Sequence, residues 1–149
     1  MNWFSKNAGA IEAAAAIATA ILALVALIGV KYQLDAADDV QRAQSAREAY
    51  RSHLTLGVAH PEYALPEDAC GLLNGRQAGS YGSFVDHLLY SAEQMLEVEP
   101  GWETTFTEAL EPHAAYVCTA ESSVGSTERM KVFLDGFREK TCKSSPKCQ

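Results

Sequence analysis

Residues 8–30 read AGAIEAAAAIATAILALVALIGV, and Glu12 is the only charged residue among them. At about 1.5 Å per residue, a helix over residues 11–30 covers roughly 30 Å, the thickness of bilayer hydrocarbon. The pattern predicts a transmembrane helix over residues 8–30 behind a short leader, residues 1–7. A cleaved signal peptide is the competing reading. The run is longer than an ordinary signal core. Trp3 and Phe4 suit an interfacial anchor, and Lys31, Tyr32 and Gln33 follow with no small-residue cleavage site between. A retained anchor is therefore expected.

Between Met1 and His60 there is no proline, and between Gly29 and Gly57 no glycine. Ala36, Ala37, Val40, Ala43, Ala46, Tyr50 and Leu54 recur at helical spacing. The membrane helix is thus expected to continue as a stalk over residues 31–56. Residues 57–66 break the pattern, because Pro61 and Pro66 push the residues before them out of helix. Residues 68–82, with four glycines, read as loop. A second helix is expected over residues 83–98, opened by a Ser83–Asp86 capping box and carrying an apolar stripe from Phe84 to Leu96. A third covers residues 102–118, with a kink or early stop at Pro112. The last covers residues 127–140, capped by Ser126, with Met130, Phe133, Leu134 and Phe137 inward. Residues 142–149 read as an irregular tail. No stretch alternates as a strand. The fold class is all-α: one N-terminal transmembrane helix, a stalk, and a small helical bundle over residues 57–141.

Within the span Ala10, Ala14 and Ala18 share one face. Small residues let helix backbones approach closely in lipid, so they mark a helix–helix interface, beside the plainer reading of an Ala-rich composition. Glu12 reaches the headgroups from the edge of the span or meets a partner in an oligomer. On the stalk, Val40, Arg47, Tyr50 and Leu54 are the expected partner contacts.

Charge changes the picture for the domain. The net charge is −7, but residues 57–121 hold one basic side chain, Arg76, against eleven acidic ones. Such a surface repels phosphate backbones, so nucleic acid is not an expected partner. Glu93, Glu97 and Glu103 read as solvated helix faces. Basic residues nearly tie across the span (Lys6 on one side, Lys31 on the other), which leaves orientation open.

Candidate chemistry is sparse. Cys70, Cys118, Cys142 and Cys148 lack zinc-site spacing, and no metal or cofactor is expected. Four cysteines fit two disulfides in an oxidising compartment. Three pairings exist, of which Cys142–Cys148 with Cys70–Cys118 is one. His87 and His113 lie in apolar helices and read as core or boundary residues. Arg47 and His53, with five residues between them, match the pattern of an Arg, four to six residues, then a His used by a class of helical ribonucleases.

Three stretches, REAYRSHLTLGVAHPEYALP, YGSFVDHLLYSAEQML and W-x7-L-x2-H-x2-YVC, resemble small bacterial membrane-anchored proteins of uncharacterised function. The resemblance implies one N-terminal span with a helical domain. It also implies a helix end and turn at Tyr50, Arg51, Leu54, Leu56, Pro61 and Glu62. It brings no catalytic residues. Architecture alone is similar to membrane effectors of phage defence. The expectation is a non-enzymatic interaction protein of a bacterial inner membrane, its domain on the periplasmic side. It would be an accessory or assembly subunit, binding other membrane subunits or itself. The alternatives are a homo-oligomeric pore or defence effector, and a ribonuclease using Arg47 and His53.

Overall fold

The computed structural model describes residues 7–99, 101–119, 127–143 and 148. Among them every regular element is helical. The chain divides into two units, Met1–Val40 and Gln41–Gln149.

The first helix, α1, is Ala8–Ala59. It is long and apolar enough to cross a membrane, a criterion of length and composition that a signal sequence or a soluble core helix also meets. None of its apolar window is buried, and residues 8–42 are exposed throughout.

The second unit begins inside the expected stalk. Residues 41–59 of α1 belong to the folded domain, with Ala46 and His53 buried. The helix also runs past the expected end at Leu56, through Gly57. There a side chain would meet only Ala64 and Phe84 at ordinary contact distance, so glycine imposes no break. The stop comes at His60, which precedes Pro61 and takes a non-helical conformation. Pro61 then opens a single turn, α2, Pro61–Ala64.

The expected loop over residues 68–82 holds two helical pieces. Asp68 caps α3, Ala69–Asn74, its Oδ1 accepting from the Gly71 N–H at 2.8 Å. The next helix, α4, is Ala78–Val98 and starts five residues before Ser83. Ser83 and Asp86 are therefore interior positions and form no capping box. Gly82 sits where the ring of Tyr116 closes on the helix; an added Cβ would lie 3.4 Å from Cε2.

Helix α4 is the centre of the domain. Tyr81, Phe84, Val85, Leu88, Leu89, Ala92, Met95 and Leu96 are buried at helical spacing. Each large aliphatic side chain so placed contributes roughly 1.5–3 kcal/mol. Against α1, Ser91 lies with its hydroxyl within reach of the Ala49 and His87 carbonyls, at 3.2 and 2.8 Å. Ala46 is 1% exposed and Ser91 fully buried.

Pro112 divides the expected third helix. Helix α5 is Glu103–Leu110, a 3-10 turn covers Glu111–His113, and α6 is Ala114–Thr119. Proline has no N–H to donate and crowds the preceding turn. The last helix, α7, is Glu128–Thr141, capped by Thr127, whose Oγ1 accepts from the Met130 N–H at 3.3 Å. The expected cap, Ser126, lies outside the described residues, as do residues 144–147 and 149 of the expected tail.

Glu93, expected on a solvated face, is only 7% exposed. Its Oε1 accepts from the Thr127 N–H at 2.8 Å. A capping box needs an acid or amide three residues past the cap, and Met130 cannot serve. Glu93 supplies that acceptor from a neighbouring helix. Glu97 is exposed, and Glu103 pairs with Arg129 at 3.5 Å.

Candidate functional site

Three histidines from three elements gather here: two pack on Phe84 and the third stacks on one of them. His53 comes from α1, His87 from α4 and His113 from the 3-10 turn. The rings of His53 and His113 lie 4.6 and 5.8 Å from that of Phe84, and His53 stacks on His87 at 5.8 Å. His53 and His113 are 7% and 1% exposed. Pro112 places His113: the 3-10 turn it imposes points the imidazole inward beside Tyr81.

Polar satisfaction differs among the three. Tyr81 Oη and His113 Nδ1 are 2.9 Å apart in the core. Burial pushes the Tyr81 phenol up to about 12, so it remains protonated, and we assign it as the donor. The Nδ1 atoms of His53 and His87 are buried, with no hydrogen-bond partner among the described residues. Burial, and then repulsion from His87, lowers His53 to about 4. Burial, and then His53, lowers His113 to about 4. At neutral pH both rings are uncharged.

Beside them Tyr116 donates to Asp86 Oδ1 at 2.7 Å, its own phenol raised to about 12 by burial and by that carboxylate. Among the described residues no group of three His, Cys, Asp or Glu side chains is arranged to hold a metal ion.

The histidines form the inner wall of two openings. One cleft of about 300 Å³ has Tyr50, His53, Leu88, Ala109, Pro112 and His113 in its lining. Leu54, Val58 and Leu65 also line it and are exposed. Another of about 380 Å³ is lined by Tyr63, Phe84 and His87 with Leu56, His60 and two serines. A third, about 550 Å³, is lined by Pro61, Glu62, Leu65, Glu67, Asp68 and their neighbours.

The expected contact residues separate. Tyr50 packs edge-on against Trp102 and Phe106, at 5.4 and 5.3 Å. Arg47 pairs with Glu99, which also accepts from Trp102 Nε1 at 3.0 Å. Val40 and Leu54 remain exposed. Arg47 and His53 do not share a site: one is paired at the surface, the other buried. Ala10, Glu12, Ala14 and Ala18 are exposed on α1.

The cysteines pair as Cys70–Cys148 and Cys118–Cys142, with Cα separations of 5.1 and 5.5 Å. Of the three possible pairings this is not Cys142–Cys148 with Cys70–Cys118. Cys142 ends α7 beside α6, so its near neighbour in space is Cys118. The converging histidines, the Tyr81–His113 pair and the buried role of Glu93 were not read from sequence. No spacing rule joins residues on separate helices.

Comparison with protein-family models, with curated proteins and with solved structures returns no match for this chain.

Proposed function

We propose that this is a non-enzymatic, single-pass membrane-anchored protein whose helical domain works through contacts with other membrane subunits or with copies of itself. The observation that carries the reading is the exposure of residues 8–42 on every side of α1. Ile17, Leu22, Leu24, Val25, Leu27 and Ile28 are each more than half exposed. A helix apolar all round needs lipid or other helices around it. Ala10, Ala14 and Ala18 provide the close-approach face for a neighbouring helix.

Two disulfides support placing the domain in an oxidising compartment, the periplasmic side if the cell is bacterial. Three polar groups of the domain have structural partners: His113 with Tyr81, Asp86 with Tyr116, Glu93 with the start of α7. That arrangement supports a scaffold rather than a reaction centre.

The test is the native mass and subunit composition of the protein extracted in mild detergent. Stoichiometric additional subunits support an accessory role. A homogeneous self-oligomer, lost on Ala14→Leu with Ala18→Leu, supports a ring or pore instead. A single chain with no partner overturns the proposal.

A further inference from the structure

Apolar side chains left in water on a small domain are normally scattered. In the second unit three of them gather on one cleft. Leu54 is 51%, Val58 84% and Leu65 74% exposed, and all three line the opening whose inner wall is Tyr50, Leu88, Ala109 and Pro112 with the uncharged rings of His53 and His113. Leu54 and Val58 are one turn apart on α1, and Leu65 follows the single turn α2. They form two walls of an open apolar trough.

The charge around this trough has one sign. Leu65 also lines the adjoining cleft, with Glu62, Glu67 and Asp68. Glu108 stands on the trough itself. Among the described residues lining the two clefts there are four carboxylates and neither lysine nor arginine. Glu62 is kept ionised: its own backbone N–H and then His60 hold its carboxyl below the usual range.

An apolar floor with an acidic rim is complementary to a cationic amphipathic helix: aliphatic side chains at i, i+3 and i+4 enter the trough while flanking Lys or Arg meet the rim. We infer that the trough formed by Leu54, Val58 and Leu65, rimmed by Glu62, Glu67, Asp68 and Glu108, is the docking site for a cationic amphipathic helix of a partner protein. This rests on the reading of the domain as a docking module and names its partner chemistry. The acidic rim opposes an anionic lipid surface.

The test uses the full chain in phosphatidylcholine nanodiscs, with empty nanodiscs as blank. The probe is a fluorescent leucine–lysine helical peptide followed by anisotropy. Saturable binding is expected, weakened about tenfold or more by Val58→Asp or Leu65→Asp. Glu67→Lys with Glu108→Lys should weaken it further and flatten its salt dependence. Both apolar positions are exposed, so these variants should fold, and Val132→Asp on the exposed side of α7 serves as the unaffected control. The same peptide with glutamate for lysine should not bind.

Equal binding to Val58→Asp, or binding of the anionic peptide, overturns the inference. So does an environment-sensitive fluorophore at position 58 that reports lipid in the absence of peptide, which would assign the face to the bilayer. Failure of the peptide while native extraction still recovers partner subunits overturns the trough alone. A single chain on extraction with intact peptide binding overturns the subunit reading and leaves the trough standing.

Discussion

The hydroxyl of Tyr81 and Nδ1 of His113 lie 2.9 Å apart at a point where neither side chain meets solvent. The bond joins the first turn of α4 to the 3-10 turn at Pro112. Tyr81→Phe keeps the ring and leaves Nδ1 unpaired in the core. We expect a loss of about 1–3 kcal/mol, the cost of stranding a buried acceptor, measured by urea unfolding. An unchanged midpoint would show that the bond carries no stability.

Acid should destabilise the domain through the same histidines. His53 and His113 are lowered to about 4 in the folded state, against about 6.5 in an unfolded chain. Below 6.5 the unfolded chain takes up protons that the folded one refuses, so stability falls as pH drops towards 4. Above about 7 both states are neutral and the slope vanishes. Chemical unfolding at pH 7, 5.5 and 4.5 checks this. His53→Phe should flatten the profile, since it removes one proton site and the repulsion on His113. His87, Glu108, Tyr81, Tyr116 and Asp86 are ionisable groups of the same neighbourhood, and both phenols stay neutral over that range.

The two disulfides should contribute unequally. Cys70–Cys148 and Cys118–Cys142 span 78 and 24 residues. Loop-closure entropy gives about 4.5 and about 3.5 kcal/mol respectively. Peptide mapping without reduction should recover those pairs, and a Cys142–Cys148 peptide would contradict the fold. Cys70→Ser with Cys148→Ser should lower the melting temperature more than Cys118→Ser with Cys142→Ser.

The start of α7 depends on a residue 34 positions earlier. Glu93 and Thr127 satisfy complementary groups there. Thr127→Ala should cost about 0.5–2 kcal/mol. Glu93→Ala should cost at least as much, because it also strands the Thr127 N–H. Hydrogen exchange at Thr127 and Met130 should rise in each variant. If exchange rises across the whole domain and not first at these amides, the cap is not the cause.

Local physics explains how much was legible in the sequence. The apolar run of α1 and the stripes of α4 and α7 are statements about spacing, and a 3.6-residue repeat is visible in one dimension. The divide at Pro112 was legible too, since proline breaks the helix ladder wherever it stands. The all-α class follows from those patterns. Tertiary structure decided the rest. Gly79 and Gly82 read as loop but lie inside α4, where Gly82 admits the Tyr116 ring. Glu93 read as solvent-facing because its partner is the backbone of another helix. Cysteine pairing depended on where helix ends meet, not on loop length. The histidine cluster required α1 and the 3-10 turn to bring His53 and His113 onto Phe84 of α4. Helical periodicity is a property of neighbours along the chain. Burial of a particular polar group, and the partner that makes it tolerable, depends on residues far apart in sequence and exists only once the core has closed.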